Sequence, residues 1–122
     1  MRLNCAMAIT GAHMLIHTPE PEAVREIFRD VFGLDHVDDG QGWLIFALPP
    51  AELGVHPTEP GAGHHEISFM CDDIETTMAE LTANGVDIEG PPNDEGWGIT
   101  VKMRLPGEVD VLIYQPRHNT AI

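Results

Sequence analysis

A chain of 122 residues with a formal net charge of −14 and 43% hydrophobic residues is sized for one domain with its own core. The charge argues against nucleic-acid binding, because the six Lys and Arg are Arg2, Arg25, Arg29, Lys102, Arg104 and Arg117, and none falls between residues 30 and 101 to neutralise phosphates. Cys5 and Cys71 make no paired spacing, no apolar run reaches a membrane span, and the first residues carry no leader pattern, so a reducing, cytoplasmic location with no membrane partner is expected.

Residues 12–17 are expected as a strand. Thr18 follows as a capping residue with Pro19 in the first turn, and Val24, Ile27, Phe28 and Val31 recur at helical spacing. Gly33 ends that helix. Residues 34–38 form a short strand, and residues 38–42 a turn rich in Asp and Gly. Residues 43–48 are a compact apolar strand stopped by Pro49 and Pro50. Residues 51–56 are a further strand with Glu52, Gly54 and His56 on one face. Residues 57–63, holding Pro60, Gly61 and Gly63, read as a linker.

The stretch that follows has the same plan. His64, Glu66, Ser68 and Met70 alternate with His65, Ile67, Phe69 and Cys71, a period of two that predicts a strand. Asp72 is expected to cap a helix, with Glu75 completing a capping box and Ile74, Met78 and Leu81 forming its apolar stripe. Asn84-Gly85 ends the helix. A strand over residues 86–88, a polar loop over 89–96, and strands over 99–105 and 109–114 complete the pattern, and an irregular, mobile tail is expected from Gln115. Sliding one half on the other pairs His13 with Glu66 and, after one residue of slip, Gly33 with Gly85, which points to an internal duplication.

The segments ISFMCDDIETTMAELTANGVDI and LPGEVDVLIYQPRH resemble the second-half strand and helix, and the closing strand, of the vicinal oxygen chelate superfamily. That superfamily includes glyoxalase I, bleomycin-resistance proteins, fosfomycin-resistance proteins and extradiol dioxygenases. The resemblance implies an α+β fold of two βαβββ modules, residues 12–56 and 64–115, each curling its strands into a half-barrel, with 116–122 as a tail. It also implies a small-molecule ligand and a homodimer.

The resemblance further implies a divalent metal (Zn, Ni, Fe or Mn) held by first-strand and later-strand side chains. Carried over residue by residue, His13 and Glu66 are the equivalent first-strand ligands, with Glu66 also in the catalytic role, and Glu52 matches a later-strand ligand. The closing-strand ligand position is Leu112, and the nearest acid on that face is Asp110. From the strand pattern alone, His13, His17, Glu52, His56, His64, Glu66 and Asp110 are expected to face one cavity, a donor set that suits such ions. His56, His64, Trp97, Lys102 and Arg104 are candidate substrate-binding residues; Trp97 sits in a glycine-flanked loop, and Lys102 and Arg104 share a strand face suited to an anionic group. Two functions stay open. One is a metal-dependent lyase, isomerase or dioxygenase acting on a small vicinal-oxygen substrate. The other is a metal-free protein that binds and sequesters a small molecule.

Overall fold

The computed structural model describes residues 13–38 and 40–122; Arg2, Cys5 and the first residue of the strand expected over 12–17 lie outside the described residues. Two prolines decide where the first helix begins. Glu20, preceding Pro21, is held out of the helical region at φ −124° and ψ 62°, and α1 runs Pro21–Glu26 with Pro21 at a first-turn position. Thr18 is therefore not the cap. Its hydroxyl accepts the Glu20 N–H at 3.1 Å and donates to the Pro106 carbonyl at 2.8 Å, so it ties the helix entrance to a distant turn. The helix continues in the wider π geometry over Ile27–Val31, where the Phe32 N–H reaches the Ile27 carbonyl at 2.9 Å. Val24 and Phe28 are buried, and Ile27 and Val31 are packed beside them, as the stripe predicts.

Strands β1 (His36–Asp38) and β2 (Leu44–Phe46) form an antiparallel pair with His36 opposite Phe46. In the turn between them the Asp38 carboxylate accepts the Gly40 N–H at 2.8 Å. Trp43, just before β2, lies under the Arg25 guanidinium, 5.4 Å from its ring centre. The strands expected over residues 12–17 and 51–56 do not form within the described residues: 13–17 and 51–56 carry no ladder hydrogen bonds of a strand. Leu53 and Val55 are 90% and 87% exposed. An alternating pattern marks a chain as able to pair, but a strand exists only where a neighbour supplies the ladder.

The second half is complete. Strand β3 (Ser68–Met70), helix α2 (Ile74–Ala83), and strands β4 (Asp87–Asp94), β5 (Gly98–Leu105) and β6 (Val109–Pro116) give one sheet in the order β3-β6-β5-β4, with β3 parallel to β6 and the other neighbours antiparallel. The cap of α2 is Asp73, not Asp72: its carboxylate accepts the N–H groups of Glu75 and Thr76 at 3.1 and 3.2 Å. The extra residue is used in turning away from the strand, so Glu75 falls one position short of a capping box. Gln115 of β6 satisfies the Ile74 N–H instead, at 2.9 Å. Gly85 ends the helix at φ +83°, a conformation that costs a glycine little.

The expected loop over 89–96 is mostly strand. Pro91 and Pro92 have no N–H to donate, and the β4–β5 register shifts between Glu89 and Asn93, yet pairing resumes beyond them to Asp94. The expected tail is also ordered further than its composition suggests, with β6 running to Pro116.

The core is Val24, Phe28, Ile74, Leu81, Val86, Val101, Met103, Leu105, Val111 and Ile113. It lies on the face of the sheet covered by the helices. Phe28 and Phe32 of the first half meet Phe69 of β3 at ring separations of 5.8 and 5.2 Å, and Phe28 meets Phe46 at 5.9 Å, so aromatic rings join the two halves in one core. Among the described residues no helix is long and apolar enough to cross a membrane.

Candidate functional site

Strand alternation puts the core residues on one face of the sheet and leaves a second, chemically mixed face. Register identifies that face: Ser68 lies opposite Leu112, Met70 opposite Tyr114, Lys102 opposite Leu112, Arg104 opposite Asp110, and Glu89 opposite Lys102. Its two ends differ. One end is ionic. Arg104 Nε donates to Asp110 Oδ1 at 2.9 Å, Arg104 Nη2 lies 3.4 Å from Glu89 Oε2, and Lys102 Nζ lies 3.8 Å from Asp110 Oδ2. The Arg104 hydrogen bond holds the Asp110 carboxyl below its usual range. That contribution to stability is present above the ordinary carboxylate pKa and fades as pH falls through the depressed value.

The other end is aromatic. Trp97 and Tyr114 pack edge to face at 5.5 Å, and His118 stacks on Tyr114 at 6.0 Å and an interplanar angle of 26°. Tyr114 Oη and His118 Nε2 are 2.9 Å apart, within hydrogen-bond distance. The Arg117 N–H donates to the Trp97 carbonyl at 2.8 Å, and its guanidinium is matched to the Asp94 carboxylate at 2.7 and 2.8 Å. Glu52 arrives here from the first half: its carboxylate accepts the Ala121 N–H at 2.6 Å. Burial, and then the charge of Glu52, push the Tyr114 phenol above its ordinary pKa.

His64 and Glu66 make a third group. His64 Nδ1 lies 2.9 Å from the Ala62 carbonyl and Nε2 lies 3.4 Å from Glu66 Oε2, so both ring nitrogens face acceptors and the imidazolium is favoured. The Ala62 carbonyl, then Glu66, raise the His64 pKa above 6.5. This ion pair adds to stability below pH 6.5 and is lost as pH rises through the elevated value. An NMR titration is expected to give a His64 midpoint above 6.5 that moves only part of the way back in Glu66→Gln, because the Ala62 carbonyl remains.

The residues singled out in the sequence are thus distributed over separate groups. His64 is paired with Glu66, Asp110 with Arg104 and Lys102, Glu52 with Ala121, and Trp97 with Tyr114. His13, His17 and His56 are exposed on irregular chain. Among the described residues no three His, Cys, Asp or Glu side chains are grouped to hold an ion. Sequence reasoning missed Tyr114, His118 and Arg117. Tyr114 shares the strand face of Asp110 and Leu112 and was within reach of the period; His118 and Arg117 lie in the expected tail and carried no signal.

The profile of the Glyoxalase/Bleomycin resistance protein/Dioxygenase superfamily matches residues 11–113. The chain belongs to this superfamily. Among curated proteins it is 29% identical over 111 residues to a manganese-dependent 2,3-dihydroxybiphenyl 1,2-dioxygenase of Geobacillus genomosp. 3, a match over 84% of this chain and 35% of the dioxygenase. The chain therefore spans about a third of that relative's length. Among solved structures, the antibiotic-binding protein TnmS3 of Streptomyces sp. CB03234 superposes with a TM-score of 0.64 at 24% identity, covering 90% of this chain and 98% of TnmS3. Lactoylglutathione lyase of Agrobacterium tumefaciens superposes at 0.61 and 17% identity, covering 88% and 94%. These structures establish the glyoxalase/bleomycin-resistance fold for this chain.

Proposed function

We propose that this superfamily member is a metal-free small-molecule-binding protein that holds its ligand on the mixed face of the β3-β6-β5-β4 sheet. One observation carries the proposal. On the closing strand the position assigned to a metal ligand is Leu112, and the nearest acid, Asp110, is hydrogen-bonded to Arg104 with Lys102 beside it. A carboxylate already matched to a guanidinium gives up that pair to bind an ion, and Leu112 has no donor atom. The closing strand of one chain therefore does not supply the ligand that the resemblance implies. The same face suits an organic ligand, because it combines Met70, Leu112, Tyr114 and Trp97 with a few polar groups.

We further propose that residues 12–56 and 64–115, joined by 57–63, are two modules of βαβββ plan, the first of which gains its outer strands in a homodimer that covers its unpaired segments. The exposure of Leu15, Val37, Trp43, Ile45, Leu53 and Val55 supports the dimer, since soluble monomers rarely leave such apolar surface open.

A metal-dependent enzyme is the competing function, favoured by the 29% identity to the manganese-dependent dioxygenase. It requires His13, Glu52 and Glu66 to converge. Melting the metal-stripped protein with and without Mn, Zn, Ni or Fe separates the two. An ion bound to the folded state at a hundred times its Kd adds about 2.7 kcal/mol. We expect no rise in melting temperature with any of the four. A rise abolished by His13→Ala and by Glu66→Ala, but kept in His65→Ala, would establish the metal site and overturn the binding proposal.

A further inference from the structure

We infer that the cavity at the end of the sheet, where Ile27, the start of β4 and the β5–β6 turn meet, is a second binding site that takes a short aliphatic ammonium compound. Its volume is about 280 Å³, close to the lower end of ligand-sized cavities. Ile27, Val86, Leu105 and Pro106 give it apolar walls, and Asp87 and Glu108 border it with carboxylates. The site does not depend on the open-face ligand proposed above: none of Met70, Leu112, Tyr114 or Trp97 lines this cavity.

The walls are held in place. Val86 and Leu105 belong to the buried core, and Ile27 packs against it. The β5–β6 turn is pinned to the entrance of α1, because the Thr18 hydroxyl donates to the Pro106 carbonyl at 2.8 Å and a Cβ added at Gly107 would strike Thr18 Oγ1 and Pro19 Cδ. The Glu108 N–H closes the turn on the Leu105 carbonyl at 3.1 Å, and Glu108 itself adopts φ +63°. Glycine takes that left-handed angle freely, whereas a glutamate there sets a carboxylate beside the cavity at a conformational cost. Charge then selects a cation. Arg104 also borders the cavity, but its guanidinium is taken up by Asp110 at 2.9 Å and Glu89 at 3.4 Å. Among the described residues neither Asp87 nor Glu108 has an ion-pair partner. Gly85 and Val86 bring the C-terminal end of α2 to the same place, and its last turn has no basic residue to offset the negative end of the helix dipole. An aliphatic stem fits the apolar walls, an ammonium head answers the carboxylates and the helix end, and the net charge of −14 raises the local concentration of any such cation.

The probe is n-hexylammonium, followed by amide NMR of the full chain; hexan-1-ol, with the same stem and no charge, and hexanoate, with the opposite charge, are the controls. Hexylammonium is expected to shift the Gly85, Val86 and Gly107 amide signals together and to saturation, hexanol to bind more weakly, and hexanoate not to bind. Asp87→Asn and Glu108→Gln should each weaken hexylammonium binding about threefold, the size of one exposed ionic contact, and the double variant about tenfold. Glu75→Gln, which removes a carboxylate from the first turn of α2, should leave it unchanged. Glu108→Gly should weaken binding as Glu108→Gln does without lowering the melting temperature, so that lost binding is not lost folding. Shifts that never saturate and spread over the acidic surface would overturn the site, as would saturable shifts confined to Trp97 and Tyr114. Hexanol binding as tightly as hexylammonium would overturn the assignment of an ammonium ligand.

Discussion

Met103→Ala is expected to lower the unfolding free energy by about 2–5 kcal/mol, the range for removing a large buried side chain. Met103 is 0% exposed. It sits in the middle of β5, opposite Val111 on one side and Ile88 on the other, with Val101 and Leu105 next along its own face. The close-packed surroundings relax only in part around the lost atoms, so a cavity term adds to the transfer term. A loss near 3 kcal/mol should move the melting temperature down by roughly 10 °C in a domain of this size. Lys102→Ala, one residue earlier and on the opposite face, should change stability by less than about 0.5 kcal/mol. The comparison tests the assignment of faces on which the whole site depends. Thermal and denaturant unfolding of the two variants, giving equal losses, would mean that the helices do not cover the face assigned here as core.

Leu53→Asp combined with Val55→Asp is expected to convert a dimer into monomers. Both side chains are almost fully exposed, and they belong to a segment whose alternation reads as a strand but which has no strand partner. In the proposed dimer they are covered by the second copy. Burying such a side chain is worth about 1.5–3 kcal/mol, and a two-fold dimer counts each residue twice. Placing carboxylates there should therefore raise the dimer dissociation constant by at least a thousandfold, about 4 kcal/mol. Light scattering should give about twice 13.4 kDa for the parent protein at micromolar concentration and 13.4 kDa for the variant. A parent protein of 13.4 kDa across that range would remove the dimer and leave the exposed apolar surface to be explained otherwise.

The sequence by itself determined the parts that depend on local period and local chemistry. The stripes Val24–Phe28 and Ile74–Leu81 turned out to be the buried faces of the two helices, because helical spacing alone brings those residues to one side. Gly85 marked the end of α2 because few other residues accept its backbone angle. The segments that became β3 with α2 and the closing strand β6 carried the resemblance to the family, and the α+β fold followed.

Tertiary structure decided everything that depends on a partner distant in the chain. Alternation over 51–56 was legible and a strand was expected over 12–17, but within the described residues neither segment is hydrogen-bonded into a sheet, because ladder bonds come from a neighbour and not from the segment's own pattern. The reverse holds at Pro91 and Pro92, which look like a break, yet β5 supplies pairing on both sides of them. Asp73 rather than Asp72 caps α2 because the chain needs one more residue to turn, and Gln115, 41 positions away, completes the helix start. The candidate site follows the same rule. Acids and histidines on one strand face were readable, but which cation or amide each meets was not. Asp110 opposite Arg104, Glu52 against Ala121, and His118 on Tyr114 are products of register and of the chain's return after β6. Those pairings, set by where distant segments come to lie, convert a list of metal-ligand types into a face with an ionic end and an aromatic one.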